Sequence, residues 1–212
     1  AYDVASFDVG LTSKMDLPGL AEYGTGAKPL DAYATKWHKF LQKVSQGKLA
    51  PKVVVIGGGF SGCELAMAMA FAMRSIGATP SVTLIESSSC ISGGGNTQRK
   101  ILDAMESLGI KIKTGVNVSE ICSDRVILEG QAPVMAAFCV SAIGGVAHDW
   151  ITKTDLTQKK GFIEINGQLG VVGDESLFAV GDCAVMAHAE RPKAGVFAVR
   201  AAPILHYNMR AA

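Results

Sequence analysis

The feature that most constrains this chain is a glycine-rich turn placed between an apolar run and a helical segment. Lys52 to Ile56 (KVVVI) is a continuous β-branched run, which is typical of a strand buried on both faces of a parallel sheet. A helix is predicted from about Ser61 to Ile76. The turn between them consists of Gly57, Gly58, Gly59, Phe60, Ser61 and Gly62. A GxGxxG pattern is common by chance, but in this strand-turn-helix setting it predicts a dinucleotide site.

Three of the glycines have separate expected roles. Gly57 makes the tight turn, Gly59 lets a pyrophosphate approach the backbone, and Gly62 lets the helix pack closely on the strand. The phosphates would lie at the helix N-terminus, where free N–H groups and the positive end of the dipole favour anions. The alternative is a glycine turn of purely structural use.

An acidic residue at the end of the next predicted strand completes the pattern. Glu86 follows the apolar run Val82–Ile85 and lies 24 positions after Gly62. This is close to the spacing of about 20 for the carboxylate that accepts hydrogen bonds from the adenosine ribose. Its charge opposes a 2′-phosphate, and serines rather than an arginine follow it. We therefore expect NAD(H) to be preferred to NADP(H).

The helix after the motif contributes one further candidate. Its side chains are apolar on nearly every side, which predicts that both of its faces are buried. Glu64, at its start, is the exception. Glu64 could face the nicotinamide, or it could only support the helix dipole, and the sequence leaves both interpretations open.

The order of the elements predicts the fold class. Strands and helices alternate over residues 52–113, which predicts an α/β fold: a Rossmann-like, three-layer domain with a parallel sheet and right-handed crossovers. From Val118 to Ile143, short strands around Val118, at Arg125–Leu128 and at Val134–Ser141 predict an antiparallel β-meander covering that sheet. A helix capped by Asp31 is expected to run to about Ser45, and a final helix to span Gly195–Met209.

Composition argues against several other classes. A net charge of +1, with Lys and Arg scattered along the chain, does not predict a basic surface that would bind nucleic acid. The longest apolar run, Leu65 to Met73, is shorter than the roughly 20 residues of a membrane span. The first ten residues have no secretory pattern, so we expect a cytoplasmic protein. The five cysteines form no CxxC pair and the four histidines are isolated, so we predict no metal site and no catalytic acid or base.

A second motif lies near the C-terminus. Gly181 and Asp182 follow the apolar strand Leu177–Val180, where an aspartate can accept hydrogen bonds from a polyol. With the glycine motif, this resembles the closing signature of the pyridine nucleotide and FAD-dependent oxidoreductases. Ile143 and Gly144 lie in a segment (AIGG) that resembles the turn closing the family's NAD domain, and the opening YDVASFDVG resembles the matching turn of its FAD domain. The resemblance implies that Asp182 holds the ribityl chain of FAD.

The segment Arg191–Arg200 (RPKAGVFAVR) is similar to the type II NADH dehydrogenase-like branch of that family. This branch includes flavoproteins fused to, or encoded with, selenide, water dikinase, which is therefore an expected partner or fused domain. The resemblance implies that the helix starts beneath the flavin, where its N-terminus at Gly195 and the ammonium of Lys193 would stabilise a reduced flavin. The alternative for Lys193 is a solvated loop lysine.

The resemblance implies an activity for the intact protein. NADH would pass a hydride to FAD, and the electrons would go to a quinone or another small-molecule acceptor, in the cytoplasm or at the membrane surface. The rival interpretations are an NADH-binding sensor without turnover and, less well supported, an NAD-dependent dehydrogenase with a separate substrate domain.

The resemblance also implies that the chain is a fragment. The family's FAD domain begins with a glycine unit of its own, which does not precede Ala1. We therefore expect residues 1–30 to be a remnant of an FAD-binding domain, 31–146 an NAD(H)-binding domain, and 147–212 the C-terminal part of the FAD-binding domain. FAD is expected in the intact protein, and to bind this chain poorly or not at all.

Overall fold

The computed structural model describes residues 2–212 and divides the chain into two compact units. One unit is Ser13–Gly144, and the other combines the residues up to Thr12 with Gly145–Ala212. Two-residue strands, β2 (Thr12–Ser13) and β11 (Gly145–Val146), lie where the chain passes from one unit to the other. Within residues 2–212, no helix is long and apolar enough to cross a membrane.

A five-stranded parallel sheet forms the centre of the unit Ser13–Gly144, which confirms the predicted α/β class. Its strands, in spatial order, are β3 (Thr25–Gly26), β10 (Phe138–Ser141), β4 (Lys52–Ile56), β5 (Ser81–Ile85) and β6 (Lys111–Lys113). The segment just before Leu30, which contains several glycines and prolines, contributes the edge strand β3. The sheet thus gains a strand that is too short to show in the sequence pattern.

Two hydrophobic cores flank this sheet, so the unit has three layers. Val53 and Val55 pack among the side chains of the helices, whereas Val54 and Ile56 pack against the meander. Successive strand residues point to opposite faces, and both faces here are apolar. This is why β4 is continuously apolar instead of alternating with polar residues.

Helices cover one face of the sheet. They are α2 (Leu30–Ser45), α3 (Phe60–Ser75) and α4 (Gly95–Ser107). A single helical turn, α1 (Leu20–Tyr23), packs on the other face, where Leu20 lies in the core with Val54 and Ile56. Helix α3 connects β4 to β5, and α4 connects β5 to β6, as the alternating pattern predicts. Trp37 and Phe40 of α2 stack on each other, and both contact Phe138 of β10 at ring-centroid distances of 5.4 and 5.2 Å.

The antiparallel meander is confirmed, but its predicted last strand is wrong. Strands β7 (Val118–Ile121), β8 (Arg125–Leu128) and β9 (Gln131–Met135) pair in that order. Residues 134–141 do not form one strand, because the backbone changes partners at two alanines. The N–H of Ala136 donates to Asp124 in the meander, and that of Ala137 to Lys52 of the central sheet. The chain then enters the parallel sheet as β10.

The second unit is built on two small sheets and a long helix. β1 (Ala5–Phe7) pairs in parallel with β14 (Leu177–Ala179), and 3-10 turns lie at Ile151–Lys153 and Gly181–Cys183. The other sheet contains β12 (Gln158–Lys159), β13 (Phe162–Ile165) and β15 (Ala184–Met186). Helix α5 spans Gly195–Ala211, so the predicted final helix is confirmed.

Two local predictions about helices are wrong. Helix α2 begins at Leu30 with Pro29 as its N-cap, so Asp31 lies inside the first turn and makes no capping hydrogen bond. Helix α3 is not buried on both faces, because the side chain of Phe71 is 68% exposed. The buried stripe of α3 is narrow and includes Ala66, Met69, Ala70 and Met73.

Candidate functional site

The glycine-rich turn joins β4 to α3, and its glycines have different surroundings. Gly57 has a φ of 108°, a backbone conformation that favours glycine. A Cβ on Gly62 would overlap the carbonyl oxygen of Gly57, so α3 can pack on the turn only because Gly62 has no side chain. A Cβ on Gly59 would meet nothing within 4 Å, and the φ of Gly59 is an ordinary −65°. The backbone at Gly59 is therefore open to an approaching group.

The N-terminus of α3 is free to bind an anion. Gly59 is its N-cap and supplies no side-chain hydrogen bond, while Phe60 and Ser61 are exposed. The first N–H groups of a helix have no partner within the helix, and the dipole adds partial positive charge there. In a helix of 16 residues that opens on glycine, these donors are available to a phosphate.

Glu64 lies one turn further along α3. It is the fifth residue of the helix and is exposed, and its side chain makes no hydrogen bond or ion pair within residues 2–212. The dipole acts on charges within the first turn, which Glu64 lies beyond. Its carboxylate is therefore available to a ligand, but no contact in the chain directs it towards one.

Glu86 is held at the turn by backbone donors from two loops. It directly follows β5, and the N–H of Gly58 donates to its Oε2 at 2.5 Å. The N–H of Ser88 donates to Oε1 at 2.7 Å, and the hydroxyl of Ser87 donates to the same oxygen at 3.3 Å. The carboxylate is thus fixed against the glycine motif, although the two lie 28 positions apart in the sequence.

The same contacts set the charge state of Glu86. Burial by itself raises the pKa of this carboxyl, but the hydrogen bonds from Ser88, Gly58 and Ser87 outweigh it, so the pKa lies below its usual value. Glu86 is therefore an anion at neutral pH. Each of its oxygens accepts a backbone N–H and still has lone-pair capacity for a ligand hydroxyl.

Two grooves meet at Glu86. One, of about 310 Å³, is lined by Ile56, Gly57, Val116 and Ile143 as well as Glu86. The other, of about 430 Å³, includes Gly58, Ser88 and Ser92. Both lie where the parallel strands end, the edge at which open α/β sheets bind ligands.

The turn after β10 forms part of the first groove. The side chain of Ile143 lies 3.0 Å from where a Cβ on Gly57 would stand, and Gly144 follows with a φ of 47°. The structure therefore places the predicted residue Ile143 against the glycine motif. Sequence reasoning missed Val116 and Asn117, which line the same groove. Their only signal is that they follow the third parallel strand, β6.

The second unit holds the Gly181–Asp182 motif in a 3-10 turn directly after β14 and Val180. Gly181 has a φ of 68°, and a Cβ there would lie 2.5 Å from Oδ1 of Asp8. The motif and the segment that opens the chain therefore meet within this unit. Asp182 lines a cavity of about 80 Å³ that also includes Met186, Lys193 and Phe197.

Lys193 is held at this cavity by two contacts. Its Nζ donates to the carbonyl oxygen of Ala184 at 2.5 Å and lies 4.0 Å from the centroid of the Phe162 ring. Burial of the ammonium lowers the pKa of Lys193, and the charge of Asp182 opposes that shift. Helix α5 begins two residues later at Gly195, and no side chain caps it. Lys193 is thus an anchored cation beside an open helix N-terminus.

Redox and metal groups are sparse in the chain. All five cysteines are free thiols, and only Cys90 is exposed. Among residues 2–212, no three His, Cys, Asp or Glu side chains are grouped so as to hold a metal ion.

The chain matches known proteins along most of its length. The family model described as pyridine nucleotide-disulphide oxidoreductase matches residues 11–202. Demethylphylloquinone reductase NdbB from Synechocystis sp. is 28% identical over 179 residues, which are 82% of this chain and 44% of the relative. NADH dehydrogenase-like protein YutJ from Bacillus subtilis is 23% identical over 193 residues, 89% of this chain and 52% of the relative. The chain spans about half the length of these curated relatives.

Solved structures show the same fold. The structure of NDH2 from Plasmodium falciparum in complex with NADH superposes with a TM-score of 0.71 at 18% identity. It covers 87% of this chain, and the chain covers 44% of it. Similarity at this level of identity concerns the fold.

Proposed function

The chain belongs to the pyridine nucleotide-disulphide oxidoreductase family, and on that premise we propose that it is part of an FAD-dependent NADH oxidoreductase. In this proposal an NAD(H)-binding domain corresponds to residues 31–146, and residues 1–30 and 147–212 are parts of an FAD-binding domain. The observation that carries the proposal is Glu86. Its carboxylate is an anion fixed beside a glycine turn and an open helix N-terminus.

These groups suit the two polar parts of the adenosine end of NADH. The pyrophosphate would approach Gly59 and accept hydrogen bonds from the first N–H groups of α3. The adenosine ribose would donate its hydroxyls to Glu86. A 2′-phosphate would bring negative charge to the same carboxylate, and the residues that follow it are serines. The site therefore favours NADH over NADPH.

The apolar groove on one side of Glu86 suits the adenine ring. It lies between Ile56, Val116 and Ile143 and has a volume of about 310 Å³. Apolar walls with a few polar groups are the usual lining of cofactor pockets. Glu64 would face the nicotinamide end, because it lies one turn further along α3 than the phosphate donors.

The second unit offers groups that suit FAD. Asp182 would accept hydrogen bonds from the ribityl chain, and the positive φ of the preceding Gly181 turns the backbone there. The ammonium of Lys193 and the N-terminus of α5 at Gly195 would stabilise negative charge on the flavin. When bound, the flavin would take a hydride from NADH and pass electrons to an acceptor. The protein residues would only bind and orient the cofactors.

The electron acceptor is the least constrained part of the proposal. One relative is named a demethylphylloquinone reductase, which supports a quinone, although another small oxidant would serve the same chemistry. A selenide, water dikinase-like partner or fused domain, and a location in the cytoplasm or at the membrane surface, complete the proposal.

The direct test is a thermal-stability titration of the 212-residue chain with NADH, NADPH and FAD. We expect NADH to raise the midpoint, because a ligand that binds only the folded state stabilises it. The Glu86→Ala variant should bind NADH about tenfold more weakly, since it loses hydrogen bonds to a charged acceptor. Glu106→Ala removes an equal charge near the far end of α4 and should bind NADH like the wild type.

Two results would contradict the proposal for the nucleotide site. One is a chain whose midpoint NADH does not move. The other is a Glu86→Ala variant that binds NADH as tightly as Glu106→Ala does.

A sensor that binds NADH without turnover is the second candidate function, and the open glycine site suits it equally. Asp182, with the anchored Lys193, favours the flavoenzyme, because a sensor needs no flavin site. We expect the full-length protein to show a flavin absorbance band that NADH bleaches. A colourless full-length protein that binds NADH would instead support the sensor.

A further inference from the structure

We infer that Gly58 is a specificity-determining residue: its missing side chain is what lets Glu86 reach the position from which it selects between the two dinucleotides. The inference rests on the proposed NADH site and assigns its nucleotide preference to a residue that acts through the position of Glu86. Gly58 occupies the position between the two functional glycines of GxGxxG, which the pattern leaves free to vary.

Gly58 leaves no room for a side chain between its backbone and Glu86. A Cβ there would lie 2.9 Å from both Cβ and Cγ of Glu86, and 3.0 Å from its Oε2. The three nearest heavy atoms all belong to one side chain, and two of them are close to its backbone. A terminal atom could rotate away at little cost, but the root of the glutamate side chain cannot. A side chain at position 58 therefore excludes the observed position of Glu86.

Backbone conformation is not what requires glycine here. The φ of Gly58 lies outside the left-handed region, unlike the 108° of Gly57. Alanine can adopt the same backbone and keeps the same N–H. The main effect of Gly58→Ala is therefore to prevent the carboxylate of Glu86 from approaching the N–H of residue 58.

The two backbone donors to Glu86 come from different loops, so the loss of one of them has a defined consequence. Gly58 holds Oε2, while Ser88, in the loop that follows β5, holds Oε1. With the first contact blocked, the carboxylate turns away from the glycine motif while Ser88 still holds its other oxygen. The ribose hydroxyls lose an aligned acceptor, and a 2′-phosphate meets less negative charge. NADH binding should weaken while NADPH binding strengthens or stays constant.

The experiment measures dissociation constants of NADH and NADPH for the wild type, Gly58→Ala, Gly59→Ala and Glu86→Ala. We expect Gly58→Ala to lower the NADPH-to-NADH ratio of dissociation constants about tenfold, close to the value of Glu86→Ala. In a Glu86→Ala background the same substitution should leave the ratio unchanged, because the carboxylate that distinguishes the two nucleotides is absent. Gly59→Ala is the matched control: its Cβ meets no protein atom but faces the phosphates, so it should weaken both nucleotides in parallel.

The inference is overturned if Gly58→Ala weakens both nucleotides equally, as Gly59→Ala does. A wild type that binds neither nucleotide would defeat the proposed function instead, and the position of Glu86 can then be tested alone. Carbon-13 NMR of the glutamate carboxyls between about pH 2.5 and 6 follows its titration. Loss of the Gly58 donor should raise the pKa of Glu86 towards its usual value. An unchanged titration in Gly58→Ala would show that Gly58 does not hold the carboxylate.

Discussion

Gly62→Ala should weaken the binding of NADH strongly in a chain that still folds. The added Cβ would overlap the carbonyl oxygen of Gly57, and neither atom belongs to a flexible side chain. Helix α3 must then move away from β4, and its first N–H groups move with it. Overpacking of this kind costs about 1–3 kcal/mol. Restoring the native turn on binding would cost a similar amount, so NADH affinity should fall by up to about 100-fold.

Gly59→Ala separates this effect from a simple block of the phosphate position. Its Cβ meets no protein atom within 4 Å, so its unfolding midpoint without ligand should equal that of the wild type, whereas that of Gly62→Ala should fall. Calorimetric titration with NADH, together with urea unfolding of each variant, measures both quantities. Wild-type affinity in Gly62→Ala would show that close packing of α3 on the turn does not place the phosphate donors.

The parts of the fold that the sequence predicted are those in which one local pattern has one physical cause. The run at β4 is apolar at successive positions because two cores flank the sheet. The turn at Gly57 and Gly62 needs glycine because of a positive φ and a close approach of backbones. Each of these causes acts within a few residues, so it produces a pattern that is recognisable in the local sequence.

The parts that the sequence did not predict depend on contacts between distant segments. β10 leaves the meander because the backbone partner of Ala137 is Lys52, and an unbroken apolar run from 134 to 140 hides that change. The contact between Gly58 and Glu86 joins two loops, and a search for glycine patterns treats position 58 as free. Val116 enters the groove because β6 ends beside β5, which no local pattern records.

The exposure of Phe71 shows the limit of reasoning from composition alone. Helix α3 has Met69 and Phe71 two positions apart, which places them on different faces of the helix. Met69 is 1% exposed and belongs to the core under the sheet, whereas Phe71 is 68% exposed. Two large apolar side chains of one helix therefore lie in opposite environments, one in the core and the other mostly in water.

This difference predicts opposite outcomes for two matched truncations. Met69→Ala leaves a void among close-packed side chains and should lower the free energy of unfolding by about 2–5 kcal/mol. Phe71→Ala removes a larger side chain that is mostly in water already, so its effect should stay within about 0.5 kcal/mol. Alanine also suits a helix interior at both positions, so helix propensity does not explain the difference.

Urea unfolding followed by circular dichroism measures both changes on the 212-residue chain. A large loss of unfolding free energy in Phe71→Ala would mean that the outer face of α3 is covered in solution. Both faces of the helix would then be buried, as its apolar composition predicted. A small loss in Met69→Ala would mean that α3 is loosely packed on the sheet. The turn at Gly62 could not then hold the helix N-terminus in a fixed position for a phosphate.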